Sequence, residues 1–102
     1  MQPTMTRWRD AALPTEESLR ARIQAEGLQA FAWENDAHDR YAGHSHDFDK
    51  VIYVVRGSIT FGLPGTGRSL TLHAGDRLDL PRGIVHDATV GADGVLCLEA
   101  HR

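Results

Sequence analysis

Residues 43–57, GHSHDFDKVIYVVRG, decide how this chain folds. His44 and His46 stand one residue apart, and Lys50 leads into an apolar run that stops at Gly57. Alternate side chains of an extended strand leave one face, so His44 and His46 can direct two imidazoles at one point. Two ligands are too few for a site, and a third is available in GDRLDLPRGIVH, where Pro81 and Gly83 shape a turn just before His86. The remaining sequence is expected to bring His86 opposite the His44–His46 pair.

Val51–Val55, five apolar residues rich in β-branching, is the strongest buried-strand signal in the chain. Downstream, SITF continues as strand, LPGTG supplies a hairpin turn, and SLTLH alternates so that Leu70 and Leu72 face in while His73 faces solvent. RLDL and IVHDATV are further strands, GADG is expected to be the last hairpin, and VLCLEA closes the sheet. Upstream, LQAFAWE alternates with a period of two, and Tyr41 to His46 is extended. Seven or eight short strands at this cadence point to an antiparallel sandwich or barrel.

The N-terminal third differs. Residues 1–14 are polar, carry Pro3 and Pro14, show no period and are expected to form a tail. From Thr15 a helix is predicted over about residues 15–27, with Thr15 as N-cap, Glu16 and Glu17 at the positive end of the dipole, and Gly27 as its stop. Its apolar stripe is only Leu19 and Ile23 with alanines, so it should lie on a surface. Residues 15–102 are expected to form a single domain.

Composition narrows the function. The 102 residues carry 11 Lys and Arg, 14 Asp and Glu and a formal charge of −3, which offers no basic face for nucleic acid. One cysteine, Cys97, allows no internal disulfide. The first residues lack the apolar run of a signal peptide and no stretch is long enough to span a membrane, so a cytoplasmic protein without a membrane partner is expected. No Ser-His-Asp arrangement, phosphate loop or zinc-knuckle cysteine pair is evident. No catalytic residue is identified.

With two motifs in order, the chain from about Leu28 resembles the cupin superfamily. Its first motif is H-x-H, a short spacer, Glu, six residues and Gly; here His44, His46 and Gly57 fit, and Lys50 replaces the glutamate. The second motif is matched by Gly75, Pro81, Gly83 and His86, with Val90 where asparagine is usual and His38 where an upstream glycine often lies. The resemblance implies an all-β, antiparallel double-sheet β-barrel of the jelly-roll-like cupin type with a short N-terminal helix. It implies His44, His46 and His86 as ligands of a divalent metal ion, of which Zn, Ni, Fe and Mn all suit three neutral nitrogens. Thiol dioxygenases are cupins that use three histidines without the glutamate. A homodimer and a small-molecule ligand are further implications.

Lys50 has three readings: a partner for Asp79, Asp49 or Asp47 at the cavity or its rim, a receptor for an anionic substrate, or an amine with a depressed pKa. Tyr53 joins Lys50 as a candidate for substrate binding or for support of the ligands, and Trp33 and Phe61 are aromatic candidates for the pocket wall. Three functions stay open: a metal-dependent enzyme acting on a small polar or anionic molecule, a non-catalytic binding or sensing module, and a metal-free barrel in which Lys50 fills the site.

Overall fold

A computed structural model describes all residues, Met1–Arg102. The elements run β1 (Thr4–Thr6), α1 (Glu16–Ala25), β2 (Phe31–Asn35), β3 (Arg40–His44), β4 (Lys50–Leu63), β5 (Arg68–His73), β6 (Arg77–Leu80) and β7 (His86–His101). All strand pairs are antiparallel, in the order β1-β6-β4-β7-β2, with β3 also on β7 and β5 also on β4. This is the expected jelly-roll-like double sheet with one short helix, although the hydrogen-bonded path does not close on itself. No helix is long and apolar enough to cross a membrane.

Two long strands organise everything else. Lys50–Tyr53 of β4 pairs with β6 and with the end of β7, while Ile59–Gly62 pairs with β5 and with the start of β7. Register shifts between Val54 and Arg56 and between Gly57 and Ile59 mark where the strands bend. A bulge inserts an unpaired residue and so reverses which parity faces inward. Before the bend Ile52 and Val54 enter the interior core; after it Ile59, Phe61 and Leu63 do. On β7 the inward set likewise changes from His86, Ala88 and Val90 to Val95 and Cys97.

The outward parity of the first half of β4 is covered by α1. Leu19 and Ile23 are fully buried against Val51, Tyr53, Leu98 and Ala100. Burial of each of the two helix side chains is worth about 1.5–3 kcal/mol, enough to hold a helix that would be marginal alone. Thr15 caps it as expected, in a reciprocal capping box with Ser18.

Two expectations from sequence are corrected. GADG is not a hairpin: β7 runs unbroken from His86 to His101, and Gly94, at φ +74°, lies within the bend. Residues 1–14 are not all tail, because Thr4–Thr6 pairs with Arg77–Asp79 as an edge strand. Behind it the buried carboxylate of Asp76 accepts from the backbone N–H groups of Trp8 and His73, each at 2.9 Å, and from Arg7 at 2.7 Å. Three alternating residues, Thr-Met-Thr, give too short a pattern to reveal a strand whose anchor lies about 70 positions away.

Burial opposes ionisation of Asp76, but the amides of His73 and Trp8 and the Arg7 guanidinium outweigh it and hold the carboxyl below its usual value. A folded pKa below the unfolded one gives stability that is present above about pH 4 and lost as pH falls through the folded value. Asp76→Asn is therefore expected to flatten the pH dependence of the urea midpoint below pH ~4. Gly57, at φ +80°, would place a Cβ 2.0 Å from the Gly94 carbonyl oxygen, whereas Gly27, at φ +77°, has open space around it. In urea unfolding, Gly57→Ala should cost about 2–4 kcal/mol and Gly27→Ala about 1 kcal/mol.

Candidate metal centre and cavity

β3 and β7 pair so that His44 and His86 are cross-strand neighbours. Their rings lie 4.4 Å apart between centroids. His46 stands just beyond β3, in the loop before β4, rather than on the strand expected from sequence. The loop still delivers it: its ring is 4.8 Å from that of His44 and 5.4 Å from that of His86. The backbone is pinned where Gly83 N–H donates to the His46 carbonyl at 2.8 Å, so the Pro-x-Gly turn before His86 also sets the loop carrying His46.

One ligand nitrogen from each histidine lies within 4.8 Å of the other two. The tautomers follow from their partners. Nδ1 of His44 is 2.7 Å from the Ala42 carbonyl and Nδ1 of His86 is 2.9 Å from the Ile84 carbonyl. A carbonyl only accepts, so Nδ1 carries the proton in both rings and Nε2 keeps its lone pair. Nε2 of His46 is buried with no hydrogen-bond partner at all. A buried, unpaired polar atom beside two oriented imidazoles is costly unless something binds it, and three imidazole nitrogens this close together fit a divalent ion.

Electrostatics favour the ligand form of these rings. Burial holds His46 below its ordinary pKa, assisted by Lys50 and His44 and opposed by Glu99. His86 is also lowered, chiefly by burial, with the Ile84 hydrogen bond acting in the opposite sense. Both are neutral at pH 7, the state in which an imidazole coordinates.

Beside the three rings lies a cavity of about 190 Å³. Its wall includes His44 and His86, the aromatic rings of Trp33, Tyr41 and Phe61, and the pair Lys50 and Glu99. That volume is below the ~300–1,000 Å³ of drug-sized pockets, so the space suits a small molecule.

Lys50 points into this cavity and pairs with a carboxylate, but not with Asp79, Asp49 or Asp47. Its Nζ is 3.3 Å from Glu99 Oε2. The register explains the choice: Ile52 stands opposite Glu99, so Lys50 and Glu99 are diagonal neighbours on the inner face. Asp79, by contrast, is held by Arg77 and Arg102. Glu99 is only 6% exposed and is fully engaged: Trp33 Nε1–H donates to Oε1 at 3.1 Å, and His101 Nε2 lies 2.6 Å from Oε2.

Glu99 is the residue that sequence reasoning missed. VLCLEA reads as an apolar closing strand, and a single acid near its end looks like a surface residue. Parity held the signal, because Val95, Cys97 and Glu99 share a face. Parity also removes Tyr53, which stands on the outer face of β4 with Val51; it packs against α1 and its hydroxyl accepts from Arg77 Nη1 at 3.1 Å. Cys97 is buried in the interior core, and burial pushes its thiol up to about 12, leaving it inert. His73 is exposed, as its place on β5 predicts.

Removing one member of the buried ion pair leaves the other uncompensated, so Lys50→Met and Glu99→Leu should each lose about 3–5 kcal/mol in urea unfolding. The double variant should lose less than the sum, because the second change removes the charge that the first left unpaired.

No protein-family profile matches the sequence, and no curated protein does. Solved structures do. An RmlC-like cupin from Shewanella frigidimarina is 26% identical with a TM-score of 0.63, over 72% of this chain and 64% of that one, so this chain spans less than two thirds of its length. A DUF861 family protein from Thermotoga maritima matches end to end, 99% of this chain and 100% of that one, at 17% identity and a TM-score of 0.68. The DMSP lyase DddQ from Ruegeria pomeroyi shares the fold at 23% identity and a TM-score of 0.66, over 74% of this chain and 38% of that one. In its strand order and its two long shared strands, the chain has the fold of these cupin structures, with His44, His46, Gly57, Gly75, Pro81, Gly83 and His86 at the positions of the two motifs.

Proposed function

We propose that His44, His46 and His86 hold a divalent metal ion and that the adjoining cavity receives a small polar or anionic molecule on which a metal-dependent enzyme acts. The observation that carries this reading is the unpartnered, buried Nε2 of His46 set beside two imidazoles whose Nδ1–H groups are already committed to backbone carbonyls. Zn, Ni, Fe and Mn all accept such a donor set, and the bound ion supplies Lewis-acid polarisation of a substrate group. The chain's own residues confine and orient the guest. Trp33, Tyr41 and Phe61 exclude water along the wall, and Lys50 presents an ammonium of which Glu99 occupies one donor direction.

A metal-free barrel filled by Lys50 is disfavoured by the same geometry. Lys50 spends its charge on Glu99, and His46 Nε2 receives no hydrogen bond from it. A binding or sensing module using the same pocket is favoured by one observation. Glu99 is the one carboxylate in the cavity wall, and it is engaged by Trp33, Lys50 and His101, so it is not a free general base.

Elemental analysis of untagged protein, purified without added metal and then after titration with Zn, Ni, Fe and Mn, tests the reading. About one metal per chain is expected in the wild type and none in His86→Ala. Wild-type protein that stays metal-free throughout would overturn it. The metal-loaded protein incubated with small carboxylates and followed by NMR separates enzyme from binder: new resonances mark turnover, and line broadening without product marks binding.

A further inference from the structure

The three candidate ligands are not held alike. His44 and His86 are each oriented by an Nδ1–H donated to a backbone carbonyl two residues earlier. No carbonyl orients His46 in this way, and its Nε2 has no partner. Its backbone is fixed through the Gly83 bond, and the following Asp49 exchanges backbone bonds with Arg102, N to O at 3.4 and 3.0 Å. Those anchors place the loop but leave the ring free to rotate about its side-chain bonds.

What faces that ring is aromatic. Phe48 lies against His46 at 5.0 Å between centroids and 33° between planes. Phe48 also meets His101 at 4.1 Å and 32°. His101 is itself held twice, by its Nε2 on Glu99 at 2.6 Å and by the edge of Phe31 at 5.3 Å and 87°. A continuous line of contacts thus runs from the Glu99 carboxylate through His101 and Phe48 to the one ligand that lacks a hydrogen bond of its own.

We propose that His101 is a positioning residue for His46, acting through the ring of Phe48. Ligating histidines ordinarily take their orientation from a hydrogen bond on the second ring nitrogen. Here a chain of tilted ring contacts replaces that bond, and the chain is anchored to the cavity wall by Glu99. Because Glu99 also binds Lys50, the ring that orients a ligand and the ammonium that faces the cavity share one carboxylate. This inference rests on the metal reading above, but its geometric half holds in the metal-free protein.

Two substitutions separate the contacts. His101→Phe keeps a flat ring on Phe48 and drops the bond to Glu99, whereas His101→Gln keeps a donor for Glu99 and drops the ring. The His101 side chain is 40% exposed, so neither change opens a core cavity. In metal-free protein, nuclear Overhauser effects between the ring protons of His46 and Phe48 are expected in wild type and His101→Phe and are expected to vanish in His101→Gln. In a Co²⁺ titration His101→Gln should bind about tenfold more weakly, with altered visible bands, while His101→Phe, which keeps the ring but loses its anchor on Glu99, should fall between it and wild type. Wild-type contacts and affinity in His101→Gln, or equal impairment of both variants, would overturn the proposal. Should wild type bind no cobalt, the metal reading falls and the proton contacts alone decide whether His101 orients His46.

Discussion

The antiparallel pairing of β4 with β7 is the constraint on which the rest depends. Both strands are long enough to belong to both layers, and both reverse their inward parity at facing bends. The reversal lets one pair of strands send different chemistry into the interior from its two halves. The first half of β4 and the end of β7 contribute Lys50 and Glu99; the second half of β4 and the start of β7 contribute Phe61 and His86. Without the offset, an unbroken alternation from Lys50 would put Gly62 and Thr60 inside and turn Phe61 toward solvent. The absence of a Cβ at Gly57, which would otherwise lie 2.0 Å from the Gly94 carbonyl oxygen, is what makes the bend sterically possible.

Much of this was legible because the informative residues are those with few alternatives. Glycines at 57, 75 and 83 all take positive φ, where other residues are strained, so their spacing records backbone shape directly. His44, His46 and His86 sit at fixed distances from those glycines, and the fold gathers them as the spacing implies. Even a departure keeps the trace: His38, where the related pattern has glycine, retains φ +67°. Histidine enters that region less readily than glycine but more readily than most residues, and the turn from Asp36 to Asp39 holds it there through the Asp36 N–H bond to the Asp39 carboxylate.

What was illegible depended on register. Alternation gives the face of a residue only relative to its neighbours on one uninterrupted strand, and GADG divides β7 in the sequence into two strands joined by a hairpin. Once GADG is a bend, Cys97 and Glu99 come inside and Leu98 and Ala100 go under the helix. Tyr53 fails as a pocket residue for the same reason, since a one-residue error on β4 exchanges cavity for helix. The partner of Lys50 was equally out of reach, because Asp47, Asp49 and Asp79 are near in sequence or motif whereas Glu99 is near only across the β4–β7 ladder.

The exchange of carboxylate and ammonium between the two strands bears on what the cavity can hold. A glutamate at position 50, as in the related motif, would offer a negative oxygen to a bound dication. Here position 50 carries a positive charge, and the negative one stands diagonally across on β7, already satisfied by Trp33, Lys50 and His101. The pair is close to neutral as a unit, and the three imidazoles add no charge in their coordinating form. A dication among them therefore keeps its full charge in a partly desolvated space, where opposite charges attract more strongly than in water. An anionic oxygen supplied by a guest would answer both that charge and the donors of Lys50 not directed at Glu99. Under the proposed metal reading, a lysine at position 50 would shift charge compensation from the site to its ligand, which would favour small anions over neutral molecules of the same size.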